Sequence, residues 1–249
     1  MNYRLLLFCW AVFSVAPFAH AGNNQAGEFD YYVLALSWHP AFCEINRQRK
    51  ECEAINTGRA EPSLVIHGLW PNRHQDKRHQ YGYCDVALSL KTRDKQRKWC
   101  ELPALNLPSL SSLQEVMPGV FSCLQRHEWY KHGSCSGLTA EQYFIVSEML
   151  LKKTRDSVFG QFIRSSAGTT VKRSNLLKQF EASFGDGSGR FLQMLCKNIR
   201  GRHYLYEIRL TLNRKLEDKL PLNALFYQKA KIKRGSCGDQ VSIDGAGLN

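Results

Sequence analysis

Residues 29–38 read FDYYVLALSW, a continuous run of aromatic, aliphatic and β-branched side chains. Such a run predicts a buried β-strand. Further along the chain, residues 64–69 (LVIHGL) predict a second short strand. We expect this second strand to end in the Gly-Leu-Trp-Pro sequence that starts at Gly68, because glycine and proline interrupt strand pairing.

The pattern of the other segments favours an α+β fold. Thr139 followed by Gln142 predicts a capping box that starts a helix reaching about Lys153. Ser174 predicts the cap of another helix, which Gly185 ends. Apolar residues alternate with more polar ones in a half-buried strand formed by Tyr204, Tyr206, Ile208, Leu210 and Leu212. Because strands and helices do not alternate regularly, a doubly wound sheet is disfavoured.

The composition is that of a folded, basic protein. The chain has 249 residues, 34 Lys+Arg against 22 Asp+Glu, a net charge of +12 and 43% hydrophobic residues, which excludes a disordered chain. The length and the lack of repeats or linkers predict a single domain. The positive charge favours an anionic partner, either nucleic acid or an acidic membrane surface. Residues 73–98 are rich in lysine and arginine. This basic stretch is either a segment that faces nucleic acid or a solvated surface loop.

The first 21 residues predict a cleaved signal peptide. Arg4 precedes an apolar run over residues 5–16, which Pro17 interrupts, and Ala19-His20-Ala21 supplies the cleavage pattern. The run is too short to span a bilayer. The mature domain, residues 22–249, would then be periplasmic or secreted.

Cleavage would leave an even number of cysteines. Eight of the nine remain, which predicts four disulfides in an oxidising compartment. No C-x-x-C pair is present to support a zinc site. Spacing alone leaves 105 possible pairings. The cysteines are Cys43, Cys52, Cys84, Cys100, Cys123, Cys135, Cys196 and Cys237.

Two segments carry side chains suited to catalysis. In residues 66–72 (IHGLWPN), His67 ends an apolar strand close to Trp70. His67 is either a functional imidazole next to a stacking surface or a core histidine whose hydrogen bonds are satisfied. Residues 123–135 (CLQRHEWYKHGSC) predict a short helix. At about 100° per residue, its Glu128 and His132 share one face.

The second segment also contains His127 and Lys131, which lie one helical turn apart. The zinc-protease motif H-E-x-x-H places its histidines four residues apart on one face. His127 and His132 are five apart, so on a helix they should diverge by roughly 140°. The spacing therefore argues against zinc hydrolysis, although a purely structural helix with exposed charges stays open.

Together the two segments predict phosphodiester cleavage without a metal. One histidine can take a proton from an attacking hydroxyl while the other protonates the leaving oxygen. A lysine can stabilise the charge that grows on the phosphoryl oxygens. RNA supplies its own nucleophile in the 2′-hydroxyl, which DNA lacks.

The chain resembles the ribonuclease T2 family. Its HGLWPN and HEWYKHGSC sequences match the two active-site segments of that family in order and separation, and residues 32–38 resemble its first core strand. The resemblance runs from about residue 28 to the C-terminus and is nearest to the bacterial periplasmic branch. It implies a single α+β domain with a mainly antiparallel sheet flanked by helices. It also implies a metal-independent endoribonuclease that needs no cofactor and forms 2′,3′-cyclic phosphates.

The resemblance also implies residue roles. His132 would deprotonate the 2′-hydroxyl and His67 would protonate the 5′-oxygen. Glu128 and Lys131 would stabilise the pentacoordinate phosphorus. The remaining site residues would be auxiliary: His127 on phosphate, and Trp70 with Asn72 beside the base. The disulfides implied are Cys84–Cys135 and Cys196–Cys237, which leave Cys43–Cys52 and Cys100–Cys123 as local bridges.

Two other classes of protein compete with this interpretation. A catalytically silent RNA-binding protein on the same fold should have lost one of the two histidines, and this chain keeps His67 and His132. A cationic membrane-active protein should show a basic amphipathic helix with aromatic residues on its apolar face, which the sequence does not offer. We therefore expect RNA as the partner, no membrane association, no obligate protein partner and a monomer.

Overall fold

The computed structural model describes residues 24–75, 81–231 and 235–247, so the predicted signal peptide lies outside the described residues. The strands are β1 (Tyr31–Trp38), β2 (Leu64–Asn72), β3 (Thr169–Lys172), β4 (Leu192–Ile199), β5 (Arg202–Asn213) and β6 (Gln240–Ile243). The helices are α1 (His39–Ile45), α2 (Glu53–Asn56), α3 (Leu88–Lys95), α4 (Leu110–Val116), α5 (Leu124–Lys131), α6 (Ala140–Arg155), α7 (Val158–Ser165) and α8 (Arg173–Phe184).

The described strands form one mixed sheet with the order β2-β1-β5-β6-β3, and β4 pairs with β5. Strand β1 pairs antiparallel with both β2 and β5, whereas the contact between β5 and β6 is parallel. The predicted α+β class with a mainly antiparallel sheet is therefore confirmed. No helix in the described ranges is both long enough and apolar enough to cross a bilayer.

The first predicted strand lies in the interior of the sheet, between β2 and β5. Its Leu34 and Leu36 are fully buried in the main core, on the side of the helices. Val33 and Ala35 point the other way and pack with Trp70 in a second, smaller cluster. We call the side of the sheet that carries this cluster the site face. The observed strand starts two residues after the predicted one, because Asp30 is exposed and precedes it. From Tyr31 to Trp38 no residue is exposed, since both faces of the strand are covered.

Strand β2 does not end where the sequence predicts. It continues through the Gly-Leu-Trp-Pro sequence to Asn72, with Pro71 opposite Tyr32. The strand lies at the edge of the sheet, where proline is tolerated because one side of the strand needs no backbone donor. A β-bulge interrupts the register, since Ala35 pairs with Gly68 and Leu36 pairs with Ile66. His67 is the extra residue of that bulge.

Strand β5 also departs from simple alternation. Leu195 of β4 pairs with Glu207 and Cys196 pairs with Leu205, so Tyr206 is an extra residue. The predicted alternation holds from Ile208 onward and is wrong before it. Glu207, which pairs with Ser37 of β1, consequently lies buried on the site face.

The helix predictions are largely confirmed. Thr139 and Gln142 form both hydrogen bonds of the capping box that starts α6. Helix α8 ends at Gly185, whose φ of +96° suits glycine. The predicted Ser174 cap is wrong, because pairing of β3 with β6 keeps the chain extended up to Lys172, which becomes the cap.

Four disulfides join the elements as the family resemblance implies. They are Cys43–Cys52, Cys84–Cys135, Cys100–Cys123 and Cys196–Cys237. Two of them hold α5, since Cys123 directly precedes its first residue and Cys135 follows four residues after its last. Both ends of this helix are thus tied covalently to the segment that contains Cys84 and Cys100.

Candidate active site

His67 is held on the site face by a carboxylate from another strand. The bulge in β2 projects its imidazole, which stays 34% exposed. Its Nδ1 lies 2.6 Å from Oε2 of Glu207, a β5 residue that is 2% exposed. Arg209 donates from Nε to the other carboxylate oxygen of Glu207 across 2.6 Å. The three side chains form a hydrogen-bonded row across the sheet.

This arrangement favours a protonated His67 beside an ionised Glu207. Burial by itself lowers the pKa of His67, but the hydrogen bond to Glu207 and the charge of Glu128 outweigh it and raise the pKa above its usual range. For Glu207, burial raises the carboxyl pKa, and the bond to His67 and the charge of Arg209 outweigh that effect and lower it. His67 therefore keeps its proton to higher pH than a free imidazole.

Glu128 lies at the centre of the site. It is 1% exposed on α5, and its Oε2 accepts a hydrogen bond from Trp70 Nε1 across 2.8 Å. Its Oε1 lies 3.8 Å from Nε2 of both His67 and His127. Gly68 makes room for this carboxylate, because a Cβ there would lie 1.9 Å from Oε2.

A second buried carboxylate holds His127. Nδ1 of this histidine lies 2.7 Å from Oδ1 of Asp94, and the hydroxyl of Tyr83 donates to Oδ2 of Asp94 across 2.6 Å. The His127 ring stacks on Trp99 with the centroids 4.6 Å apart. Asp94 belongs to the basic stretch 73–98, in which residues 88–95 form α3 rather than a loop.

His132 lies just beyond the helix. Helix α5 ends at Lys131, and His132 caps it with a φ of −116° while its backbone N–H still donates to the Glu128 carbonyl across 3.0 Å. The expected divergence of His127 and His132 is nevertheless wrong, since their ring centroids are only 6.2 Å apart. The His132 ring also lies 5.4 Å from that of Trp70.

A cleft of about 560 Å³ opens beside His67 and His127, which both line it. This volume suits a small ligand or a segment of a polymer. Lys131 lines it and makes no salt bridge within residues 24–75, 81–231 and 235–247. Other lining residues are His67, His127, Lys95, Arg97, Arg49 and Lys197. Five lysines and arginines thus line this cleft against two carboxylates, Glu51 and Asp94, so the lining is positive overall.

The two residues expected beside a base lie next to this cluster on β2. Trp70 is 9% exposed, and its ring lies 5.2 Å from that of His67 and 4.9 Å from the Arg209 guanidinium. Asn72 is 3% exposed and donates its side-chain amide to the Trp70 carbonyl. The structure therefore places both on the site face, largely buried.

Two groups of side chains in the described residues come close enough to hold a metal ion. His127, Glu128 and His132 offer ligand atoms within 4.8 Å of one another. The other group is His39 with Cys43 and Cys52, but those cysteines form a disulfide and offer no thiolate.

The sequence interpretation missed Glu207 and Asp94. For Glu207 a signal existed, because an acidic residue inside an otherwise apolar strand needs a partner when it is buried. Asp94 carried no such signal, since it stands among lysines and arginines in the basic stretch. In both cases the partner histidine is far along the chain, by 140 residues for Glu207 and 33 for Asp94.

Comparison with known proteins identifies related ribonucleases. The chain is 32% identical to Ribonuclease I of Escherichia coli (strain K12), over 99% of this chain and 97% of that protein. The crystal structure of RNase NT in complex with 5′-AMP has a TM-score of 0.54, with 21% identity, 88% of this chain covered and 99% of that one. The S-like ribonuclease trichomaglin has a TM-score of 0.58, with 18% identity, 88% of this chain covered and 99% of that one.

These two solved structures share the fold. The sequence comparison goes further than fold, because the match to the Escherichia coli protein spans nearly the full length of both chains. Residues 29–221, which contain β1, β2 and α5, match the description "Ribonuclease T2 family". The chain belongs to the Ribonuclease T2 family.

Proposed function

We propose that this RNA-cleaving enzyme cuts phosphodiester bonds by transesterification, through a 2′,3′-cyclic phosphate and with His67 and His132 as the acid–base pair. The observation that carries the proposal is the meeting of three imidazoles around Glu128, two of which, His67 and His127, line a positive cleft. Substrates that lack a 2′-hydroxyl have no internal nucleophile and would not react.

The roles of the two histidines follow from their surroundings. His132 removes the 2′-hydroxyl proton, the 2′-oxygen bonds to phosphorus, and the bond from phosphorus to the 5′-oxygen breaks as His67 donates its proton to that oxygen. The raised pKa of His67 supports the role of acid in this first step. In the second step the roles reverse, and water opens the cyclic phosphate.

The other charged residues stabilise the phosphorane. Lys131 lines the cleft without a described salt-bridge partner, which leaves its ammonium available to a phosphoryl oxygen. Glu128 lies between His67 and His127, with Oε1 3.8 Å from Nε2 of each, so it places a negative charge beside both imidazoles. His127 contacts phosphate as an auxiliary group, since Asp94 already holds its Nδ1 and leaves Nε2 toward the cleft.

Trp70 and Asn72 are proposed to contact the base. Both follow His67 on β2 and lie on the same face, since Trp70 pairs with Val33 and Asn72 with Tyr31. A base held against them would thus adjoin the phosphate at His67.

The proposed setting is outside the cytoplasm. Four disulfides persist in oxidising compartments, and the chain carries the signal-peptide pattern in residues 1–21. We propose a monomer that is periplasmic or secreted, acts on RNA and uses no cofactor.

The test is a product analysis. Purified protein should convert a dinucleotide of RNA first to the 2′,3′-cyclic phosphate, in the presence of EDTA, and should leave DNA and 2′-O-methyl RNA intact. Binding of RNA without any cleavage would instead support a silent RNA-binding protein. Products without a cyclic intermediate, or activity lost with EDTA, would contradict the mechanism.

A further inference from the structure

Glu207 lies outside both active-site segments, and yet it makes the shortest contact to His67. We propose that Glu207 is a positioning residue for the reaction: its carboxylate binds Nδ1 of His67 and leaves Nε2 as the only nitrogen that exchanges a proton with the substrate. This inference rests on the proposed function, in which His67 is the general acid.

The geometry determines which nitrogen of His67 exchanges a proton with the substrate. Nδ1 donates to Glu207 across 2.6 Å, and Nε2 lies 3.8 Å from Glu128 Oε1, at the cleft. A carboxylate accepts but does not donate, so the neutral imidazole keeps its hydrogen on Nδ1. Nε2 can then give a proton in the first step and take one back in the second.

Glu207 is itself held rigidly. It lies on a central strand, is 2% exposed, and uses its second oxygen to accept from Arg209 across 2.6 Å. The Arg209 guanidinium lies over the Trp70 ring, 4.9 Å from its centroid. A carboxylate with two fixed partners on a strand can orient a third group more precisely than a side chain on a loop.

The charge of Glu207 also has a consequence for the proton. His67 is partly buried and has Arg209 nearby, and both effects favour a neutral imidazole. Glu207 and Glu128 reverse this and raise the His67 pKa. Loss of the Glu207 charge alone should therefore lower the His67 pKa, so that less of the acid is protonated at neutral and higher pH.

The Glu207→Gln variant tests this role, because glutamine keeps the shape and one acceptor oxygen but removes the charge. Glu44→Gln is the matched control, since Glu44 is also a buried carboxylate paired with an arginine, Arg47, and does not line the cleft. Wild-type protein is assayed first for cyclic-phosphate production, so that failure of the proposed function shows before any variant is made.

Two substrates distinguish a loss of general-acid catalysis by His67 from other damage to the site. A dinucleotide has an alkoxide leaving group that needs a proton, whereas uridine 3′-(4-nitrophenyl phosphate) releases a phenolate that does not. We expect Glu207→Gln to lose about 10-fold or more of kcat/KM on the dinucleotide at pH 8, within the range of roughly 100- to 10,000-fold available to a general acid. The loss should shrink at pH 5 and nearly vanish on the nitrophenyl ester.

An NMR titration of the His67 ring supplies a readout independent of turnover. Its midpoint should move to lower pH in Glu207→Gln and stay in place in Glu44→Gln. If Glu207→Gln does not fold, Glu207→Asp, which keeps the charge but shortens the reach, is compared on the same two substrates and should also lose more on the dinucleotide. Equal losses on both substrates, or an unmoved His67 midpoint in a folded Glu207→Gln protein, would overturn the proposal.

Discussion

Trp70 donates its indole N–H to Glu128 across 2.8 Å, and this buried hydrogen bond joins two segments that lie 58 residues apart in the chain. The bond fixes one oxygen of Glu128 and turns the other toward His67 and His127. Tyr143 of α6 supports the same strand, since its hydroxyl both donates to the Leu69 carbonyl and accepts from the Leu69 amide. The site is thus built where β2 meets α5 and α6.

Replacement of Trp70 by phenylalanine should therefore affect Glu128. The substitution removes the indole N–H and leaves Glu128 Oε2 buried without that hydrogen bond. The loss should lower the free energy of unfolding by about 1.5–3 kcal/mol. RNA cleavage should also fall, because Glu128 loses its fixed orientation. Urea denaturation and dinucleotide kinetics measure the two effects. Trp129→Phe, which shortens an indole packed on Tyr143, is the control and should not reduce cleavage to the same extent.

Gly68→Ala should disable the site while the sheet persists. The new Cβ would lie 1.9 Å from Glu128 Oε2 and 2.4 Å from Trp70 Nε1, so the carboxylate must move. A displacement of about 1 Å can cost roughly a hundredfold in rate. Gly238→Ala is the control, because a Cβ there meets nothing within 4 Å. Full activity of Gly68→Ala with native stability would show that the position of Glu128 is not important.

Single substitutions of the histidines should rank their roles. His67→Ala and His132→Ala should each lose about 100- to 10,000-fold in kcat/KM, as expected for a general acid or base. His127→Ala removes a phosphate contact and should lose less, with Glu128→Gln in between. If His127→Ala were the most damaging and His132→Ala stayed active, the assignment of the acid–base pair would be wrong.

The pH dependence of cleavage should reflect the raised pKa of His67. The rate requires one neutral and one protonated imidazole, which gives a bell-shaped profile. Because His67 must be protonated to act as the acid, activity falls as pH rises through its pKa. That pKa is raised, so the basic limb should lie above the value of about 6.5 typical of free histidine. A basic limb below that value would contradict the charged His67–Glu207 pair.

The Cys84–Cys135 disulfide, which lies beyond the C-terminal end of α5, should matter more than Cys43–Cys52. In the chain-entropy model, Cys84–Cys135, with a sequence separation of 51, is worth about 4 kcal/mol, and Cys43–Cys52, with a separation of 9, about 2.6 kcal/mol. Paired alanine variants compared by urea denaturation should show this order, and only the first pair should also lose activity. Alkylation of the unreduced mature protein followed by mass spectrometry should find no free thiol.

Salt should weaken cleavage of long RNA more than cleavage of a dinucleotide. Lys95 and Arg97 of the basic stretch line the cleft, and neutralised phosphates release counterions when RNA binds. Measurement of kcat/KM at several salt concentrations gives, for each substrate, the slope of log kcat/KM against log salt concentration. Equal slopes would confine recognition to the active site and make the basic stretch a solvated surface.

Local sequence patterns were enough to predict several of the strands and helices and most of the side chains of the site. Residues 29–38 predicted the central strand, Thr139 with Gln142 predicted the start of α6, and the two histidine segments predicted acid–base chemistry. These features could be predicted because they depend on local patterns: which side chains follow each other and how a helix or strand arranges neighbours.

The groups that hold the imidazoles depend on long-range packing and are visible only in the folded protein. Glu207 reaches His67 because β1 brings β2 and β5 to its two sides and because bulges in both strands change which face their residues occupy. His132 and His127 are five residues apart in the chain, and yet their ring centroids lie 6.2 Å apart in the folded site. Register shifts, helix ends and pairings over 140 residues depend on the packing of the whole sheet, and no local pattern in the sequence contains that information.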